Sequence, residues 1–225
     1  MLPWIRIATA RVPGGNGELL LQQRGDEYSI RVDGYELMNT RVHGSEDALA
    51  EIACAQLPDT SRAHVLIGGL GFGFTLAAVL KSIGAQGGAT VAELVPEVVD
   101  WNRGPMGAAS GHPLHDPRTI TEIADVADVI RRNKNTFDAI LLDVDNGPTS
   151  LVARGNSRLY TEKGLRTAHA ALRPAGILAI WSSADAPAFT RRLNQTGFEA
   201  TIHKVGSLGR SRGPRYFVWI ARRVG

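Results

Sequence analysis

Three features of the sequence have the residue types and spacing to do chemistry. The run Val65-Leu66-Ile67-Gly68-Gly69-Leu70-Gly71-Phe72-Gly73 puts a glycine-rich turn between an apolar segment and a helical one. Gly69, Gly71 and Gly73 form a GxGxG loop, and the missing side chains let a ligand approach the backbone closely. About 20 residues further on, Glu93 ends the next apolar segment, Val91-Ala92-Glu93-Leu94, where a carboxylate accepts both hydroxyls of a ribose. Asp143 ends the most apolar segment of the chain, Phe-Asp-Ala-Ile-Leu-Leu-Asp over residues 137–143. Together the features point to an adenosine-type cofactor in the loop and an acid facing a cleft. They do not separate NAD from S-adenosylmethionine, and glycines after a strand also serve tight packing alone.

Other residues carry two readings each. Asp125 follows a strand segment, where it either reaches an adenine amino group or caps the helix over residues 126–132. Asp145 and Asn146 fall in the turn-rich stretch Asp-Asn-Gly-Pro, and are pocket residues or only a turn. Tyr160 and Trp181 belong to segments at the same sheet edge and are expected to line an acceptor pocket, with core packing as the plain alternative for Trp181. Asn39, Arg41 and His43 are polar residues placed to fold over a cleft or simply to hydrate a loop. His112 and His115 have no partner at metal-ligand spacing, so no metal site is expected.

The elements that must position these residues alternate. Apolar strands are predicted at 65–68, 90–94, 118–121, 137–143 and 176–181, with helices at 75–83, from Pro96, 125–133, 165–172 and 187–196. That order implies a doubly wound α/β sheet with right-handed crossovers, whose ligands sit outside the carboxyl ends of the strands. Before it, residues 1–44 read as a small β-rich region with strands at 18–22 and 28–32 around the turn Arg24-Gly25-Asp26. Ser45 is expected to cap a helix stopped by Pro58. Residues 199–205 and 216–221 read as a closing antiparallel strand pair. The expected organisation is therefore 1–44 followed by a Rossmann-like domain over 45–225.

Composition narrows the class. The chain has 225 residues, 44% apolar and 21% charged, a globular profile long enough to bury a core. Its single cysteine, Cys54, excludes an intrachain disulfide and cysteine-rich zinc sites. The longest uncharged stretch, residues 65–80, is rich in glycine and shorter than a spanning helix needs. A cytoplasmic protein is expected. Residues 185–225 hold eight basic and two acidic residues, a solvated basic face or a surface for an anionic partner such as RNA.

These runs resemble the spermidine synthase family, within the class I S-adenosylmethionine-dependent methyltransferase fold. Residues 65–76 look like its glycine-rich motif, including the Thr75-Leu76 that opens the helix. Glu93 matches its ribose-binding acid. Asp116-Pro117-Arg118 and Asp125 resemble its Asp-Pro-Arg and adenine-binding segments. The strand ending at Asp143 is similar to the one whose last Asp is the family's proposed base, and Gly147-Pro148 and Leu159-Tyr160 follow as in that family. The resemblance implies S-adenosylmethionine or its decarboxylated form as cofactor, a small-molecule acceptor and a homodimer.

The departures bear on the reaction. Where the family has an Asp that holds the amine of the aminopropyl group, this chain has Phe72, and a second family acid is replaced by Val95. A neutral Phe offers a bare ammonium only a cation–π contact. The lost acids point to ordinary S-adenosylmethionine and methylation of a small, amine-type substrate. Aminopropyl transfer from the decarboxylated cofactor is the alternative, and an RNA-binding or RNA-methylating module the next. In each transferase reading Asp143 orients the nucleophile, because an ordinary Asp with pKa ~3.9 is a poor base for an ammonium.

Overall fold

The computed structural model describes residues 2–13, 17–144, 147–148, 156–208 and 213–225. Two sheets organise them. The first is an antiparallel meander, β1 (Ile5–Arg11), β2 (Glu18–Arg24), β3 (Glu27–Val32) and β4 (Tyr35–Asn39), in that spatial order. The second has seven strands: β5 (His64–Gly68), β6 (Gly88–Glu93), β7 (Thr119–Ile123), β8 (Phe137–Leu142), β9 (Leu172–Ser182), β10 (Phe198–Gly206) and β11 (Arg215–Arg223). Its order is β10-β11-β9-β8-β5-β6-β7. Strands β9, β8, β5, β6 and β7 run parallel, and β11 is antiparallel to both its neighbours. The α/β doubly wound class and the closing antiparallel pair are as the sequence predicts.

The sheet is apolar on both faces because helices cover both. Successive strand residues alternate between two cores. Val65, Ile67, Ala139, Leu141, Ile177 and Ala179 face one layer. That layer holds α1 (Gly44–Cys54), α2 (Phe74–Ser82) and α3 (Pro96–Arg103), together with Leu19, Leu21 and Ile30 of the N-terminal sheet. Leu66, Ile140, Leu142, Leu178 and Ile180 face the other layer, with α4 (Val126–Arg132), α5 (Glu162–Ala171) and α6 (Pro187–Gln195). The N-terminal sheet shares one continuous core with the first helical layer. At the amino edge, Asp138 Oδ2 accepts the His64 backbone N–H at 2.7 Å and an Arg173 N–H at 2.6 Å, tying β5, β8 and the start of β9. Among the described residues no helix is long and apolar enough to cross a membrane.

Local differences from the sequence reading have local causes. Helix α1 begins at Gly44 with His43 at its N-cap position, and the Ser45 hydroxyl, instead of capping, donates to Glu46 Oε2 at 2.6 Å. That helix ends at Cys54, before Pro58 is reached. Strands β1 and β4 were not expected: half-exposed edges with residues such as Ile5, Tyr35 and Leu37 in solvent, they lack a clean apolar alternation. Strand β9 starts four residues early, with a register irregularity against β8 and Ala175 at φ +61°.

The central strands carry the stability. Ile140 is fully buried. Ile140→Ala is expected to lower unfolding free energy by about 2–5 kcal/mol, read from the shift in urea midpoint at constant slope.

Candidate active site

The chain enters the parallel sheet at β5, runs outward through β6 and β7, then returns to lay β8 on the other side of β5. The chain passes from β5 to a helix on one face and from β8 to a helix on the other, the arrangement at which a doubly wound sheet places its ligand crevice. Gly69 follows β5 and Asp143 follows β8, and the Asp143 backbone N–H donates to Gly68 O at 3.0 Å. Glu93 ends β6, the neighbour of β5 on the far side. The three residues that the sequence singled out thus stand on adjacent strands at one edge.

The glycine loop requires glycine. Gly69 has φ +88°, and a Cβ there would lie 2.5 Å from the Asp143 carbonyl oxygen. Gly73, at φ +83°, is the N-cap residue of α2, and its N–H donates to Leu70 O at 2.7 Å. Gly71 is braced from behind: buried Asn102 of α3 donates from Nδ2 to Gly71 O at 2.8 Å and to Val98 O at 2.9 Å. Phe72 does not reach into open space. It is 3% exposed and tilted against Phe74, with ring centroids 6.4 Å apart.

Glu93 grips the loop directly. Its Oε2 accepts the Leu70 N–H at 2.8 Å and its Oε1 the Val95 N–H at 2.9 Å. Burial raises its pKa, while these backbone N–H groups pull the other way. The acid predicted to hold a ribose is therefore first an anchor for the turn that would cradle the same nucleoside. A glycine cradle with a carboxylate beside it fits an adenosyl group.

Asp143 is held by α2. The Thr75 hydroxyl donates to Asp143 Oδ2 at 2.6 Å. Desolvation raises the Asp143 pKa, and this hydrogen bond opposes the rise. Two residues that the sequence reading passed over complete the surroundings. Glu46, in the first turn of α1, has its carboxyl pushed up to about 7 by burial and then by the charge of Asp143. Tyr216 of β11 has its phenol pKa raised by burial and then by Glu46. Tyr216 packs on Trp181 at 4.9 Å between ring centroids. The Trp181 indole N–H is buried without a hydrogen-bond partner among the described residues. The only sequence signal for Glu46 was its place in a helix rich in small residues, and nothing local linked it to Asp143, far along the chain.

The remaining predicted residues are placed differently. Asp125 is a helix cap: its Oδ1 accepts the Ala127 N–H at 2.8 Å, and its Oδ2 pairs with Arg158. Tyr160 is 4% exposed, packs edge-on against Phe189, and donates to Val144 O at 3.4 Å. It is a core residue supporting the loop after β8. Asp145 and Asn146 lie outside the described residues. Asn39 closes a turn by accepting the Arg41 and Val42 N–H groups. Arg41 pairs with Glu27 at 3.5 Å. His43 stacks on Phe74 at 3.9 Å and bonds Asp47 at 2.8 Å, which raises its pKa.

Asp116 and Arg118 pair with each other at 2.7 Å, and Arg118 also donates to Ile83 O and Gly84 O, a clamp at the opposite edge of the sheet. His112 and His115 stack at 5.1 Å, and among the described residues no three His, Cys, Asp or Glu are grouped to hold a metal. A cavity of about 730 Å³ lies on the outer flank of α1 and α2, lined in part by His43, Phe74, Lys81 and Arg118. Glu93, Asp143 and Trp181 are not in its lining, so it is distinct from the crevice. Of the basic C-terminal residues, Arg192 donates to Tyr160 O, Arg222 to Gln56 O and Arg223 to Leu172 O, which ties them to the fold.

Comparison with known proteins places this geometry. The spermine/spermidine synthase domain family matches residues 43–205. No curated protein matches by sequence. Among solved structures, a spermidine synthase in complex with the transition-state analogue AdoDATO is similar with TM-score 0.78 and 22% identity, over 97% of this chain and 73% of that one. The spermidine synthase from Thermotoga maritima gives 0.75 and 21%, over 97% and 72%. A probable spermidine synthase from Corynebacterium glutamicum ATCC 13032 gives 0.65 and 16%, over 97% and 79%. At these identities the structural likeness establishes the fold.

Two outcomes test the site. Gly69→Ala forces a side chain against the Asp143 carbonyl at positive φ; it is expected to cost about 1–3 kcal/mol in stability and to abolish nucleoside binding by calorimetry. The second concerns pH. A carboxyl whose folded pKa is raised holds its proton in the native state after the unfolded chain has lost it, so its contribution to stability falls as pH rises. For Glu46 the window runs from the ordinary 4.5 to about 7. Glu46→Gln is expected to gain stability relative to the native chain across that window, read from paired urea titrations.

Proposed function

Because the chain belongs to the spermine/spermidine synthase domain family, we propose that it is a transferase that moves the aminopropyl group of decarboxylated S-adenosylmethionine to an amine acceptor. The observation that carries this reading is the family match over residues 43–205, which spans the glycine loop, Glu93 and Asp143. The transition-state analogue AdoDATO, bound to the similar spermidine synthase, supports a donor of that kind. Gly69, Gly71 and Gly73 receive the adenosyl portion, with Glu93 beside the ribose. Phe72 stiffens the loop from within the core, and Asp125 shapes the adenine end through its cap and its ion pair. Trp181 walls the acceptor side and Tyr160 supports the loop after Asp143.

The sulfonium supplies an activated leaving group, so the protein's task is placement. A nitrogen held in line about 3–3.5 Å from the reacting carbon gains most of its rate from orientation. Asp143 attracts and orients the acceptor amine from the edge of the crevice. The low dielectric that raises its pKa also strengthens its pull on a cation.

Methyl transfer from S-adenosylmethionine is the second reading, and a specific observation favours it. Phe72 is buried and Val95 is apolar where the family carries acids, leaving no carboxylate at those positions for the donor's ammonium. The product nucleoside separates the two readings. With each donor offered alongside 1,4-diaminobutane, aminopropyl transfer releases methylthioadenosine and methyl transfer releases S-adenosylhomocysteine. Chromatography of the quenched reaction is expected to show the first. In either case Asp143→Asn is expected to lower kcat by about 10²-fold or more, and full activity in that variant would remove Asp143 from the reaction.

A further inference from the structure

Asp143 is held from the helix that follows the glycine loop. Thr75 is the second residue of α2, just beyond Gly73, and it is 2% exposed. Its hydroxyl donates to Asp143 Oδ2 at 2.6 Å. That length falls in the range of about 2.5–2.7 Å for a hydroxyl bonded to an ionised carboxylate, shorter than is usual between neutral groups. Among the described residues, Thr75 is the side chain that hydrogen-bonds Asp143.

The hydroxyl is set in place by its surroundings. Phe74, the residue before it, stacks on His43 at 3.9 Å. The Gly73 carbonyl accepts the Ala77 N–H at 2.9 Å, closing the first turn of α2. A threonine near a helix start commonly turns its hydroxyl back to the carbonyl four residues earlier. Here that carbonyl, Gly71 O, is bonded by Asn102 Nδ2 at 2.8 Å. The one proton of the Thr75 hydroxyl goes across the crevice edge to Asp143 instead.

We propose that Thr75 is a positioning residue for the transfer: its hydroxyl holds one oxygen of the Asp143 carboxylate and keeps that carboxylate charged and aimed for the acceptor amine. The inference rests on the amine-acceptor reading above and adds the group that fits Asp143 to that role.

Burial works against the charge of Asp143, and the Thr75 hydrogen bond works for it. A hydroxyl that donates to the charged form of an acid favours that form. A neutral carboxyl would offer an ammonium no opposite charge. The start of α2 acts in the same direction, because the N–H groups of a helix's first turn favour an anion. The other neighbours do not take over this work. From α1, Glu46 feels the charge of Asp143, and burial first and that charge second push its carboxyl up to about 7. His43 of the same region and Tyr216 of β11 act with Glu46, and Lys81 of α2 acts on His43. On β9, Ile180 pairs with Leu142, so the residue next to Asp143 in register is the uncharged Trp181. Among the described residues no side-chain cation supports the charge of Asp143.

Two variants of the full chain separate the hydroxyl from its packing. Thr75→Val keeps the volume and removes the hydroxyl, and Thr75→Ser keeps the hydroxyl and removes a methyl. If Thr75 only packs, Ser is the worse variant; if its hydroxyl holds Asp143, Val is. The first arm uses no substrate and titrates the side-chain carboxyl 13C resonance of Asp143. The midpoint is expected about one pH unit or more higher in Thr75→Val and close to native in Thr75→Ser. An Asp143 midpoint that does not move in Thr75→Val overturns the proposal. The second arm measures steady-state kinetics with 1,4-diaminobutane and decarboxylated S-adenosylmethionine. In Thr75→Val, kcat is expected to fall about tenfold or more with the donor KM nearly unchanged, and Thr75→Ser is expected to recover most of the rate. A loss that Thr75→Ser shares in full, or one carried by the donor KM, means that Thr75 only shapes the glycine loop and overturns the proposal. If Thr75→Val does not fold, Thr75→Ala takes its place, since Ala and Ser differ by the hydroxyl alone. Failure of the amine-acceptor reading shows separately, as native protein that gives no product from 1,4-diaminobutane, while the titration still decides whether Thr75 sets the charge of Asp143.

Discussion

A close contact between two backbones at the sheet's switch point constrains the rest of the site. Strands β5 and β8 are hydrogen-bonded neighbours, and the chain leaves them in diverging directions. Gly69 passes so near the Asp143 carbonyl that a Cβ has no room. That approach brings the glycine turn and the acid at the end of β8 into one crevice. If the two strands stood further apart, the loop would still turn and Asp143 would still be acidic, yet they would not face one ligand.

The rest of the structure holds this meeting in place. Glu93 spends both oxygens on the N–H groups of Leu70 and Val95, and Asn102 braces Gly71 from α3. Thr75 fixes Asp143 from the first turn of α2, directly beyond the loop that Glu93 and Asn102 hold. The loop and the acid are thus tied through short hydrogen bonds, buried at Glu93 and half-buried at Asn102 and Thr75. In a low-dielectric site such bonds are strong when satisfied and costly when broken, so the geometry is preorganised.

Electrostatics at this edge departs from the sequence reading of Asp143 as an isolated carboxylate. Burial raises the pKa of Asp143, Glu46 and Glu93 alike, for the same reason: the helices of the first layer exclude water from the carboxyl edge. Phe72 lies in the core, and the charge of Asp143 acts on Glu46.

How much was legible follows from the range of each interaction. The glycine turn, Glu93 and the Asp143 strand were readable because their signals are local: a missing side chain, an acid at the end of an apolar run, alternating burial on two faces. The same local logic offered an adenine contact or a cap at Asp125, where the structure shows the cap, and its limit explains the misses. Edge strands β1 and β4 carry little periodicity because one face is wet, and Ser45 was displaced as a cap when its hydroxyl found Glu46. By itself the sequence determined the α/β order, the glycine turn after β5 and the acids that end β6 and follow β8. Only the tertiary structure decided that β8 returns to lie against β5, that Glu93 anchors the loop through the Leu70 N–H, and that Thr75 of α2 holds Asp143. Those three facts are pairings between distant segments, and no periodicity within a segment encodes which distant partner it will meet.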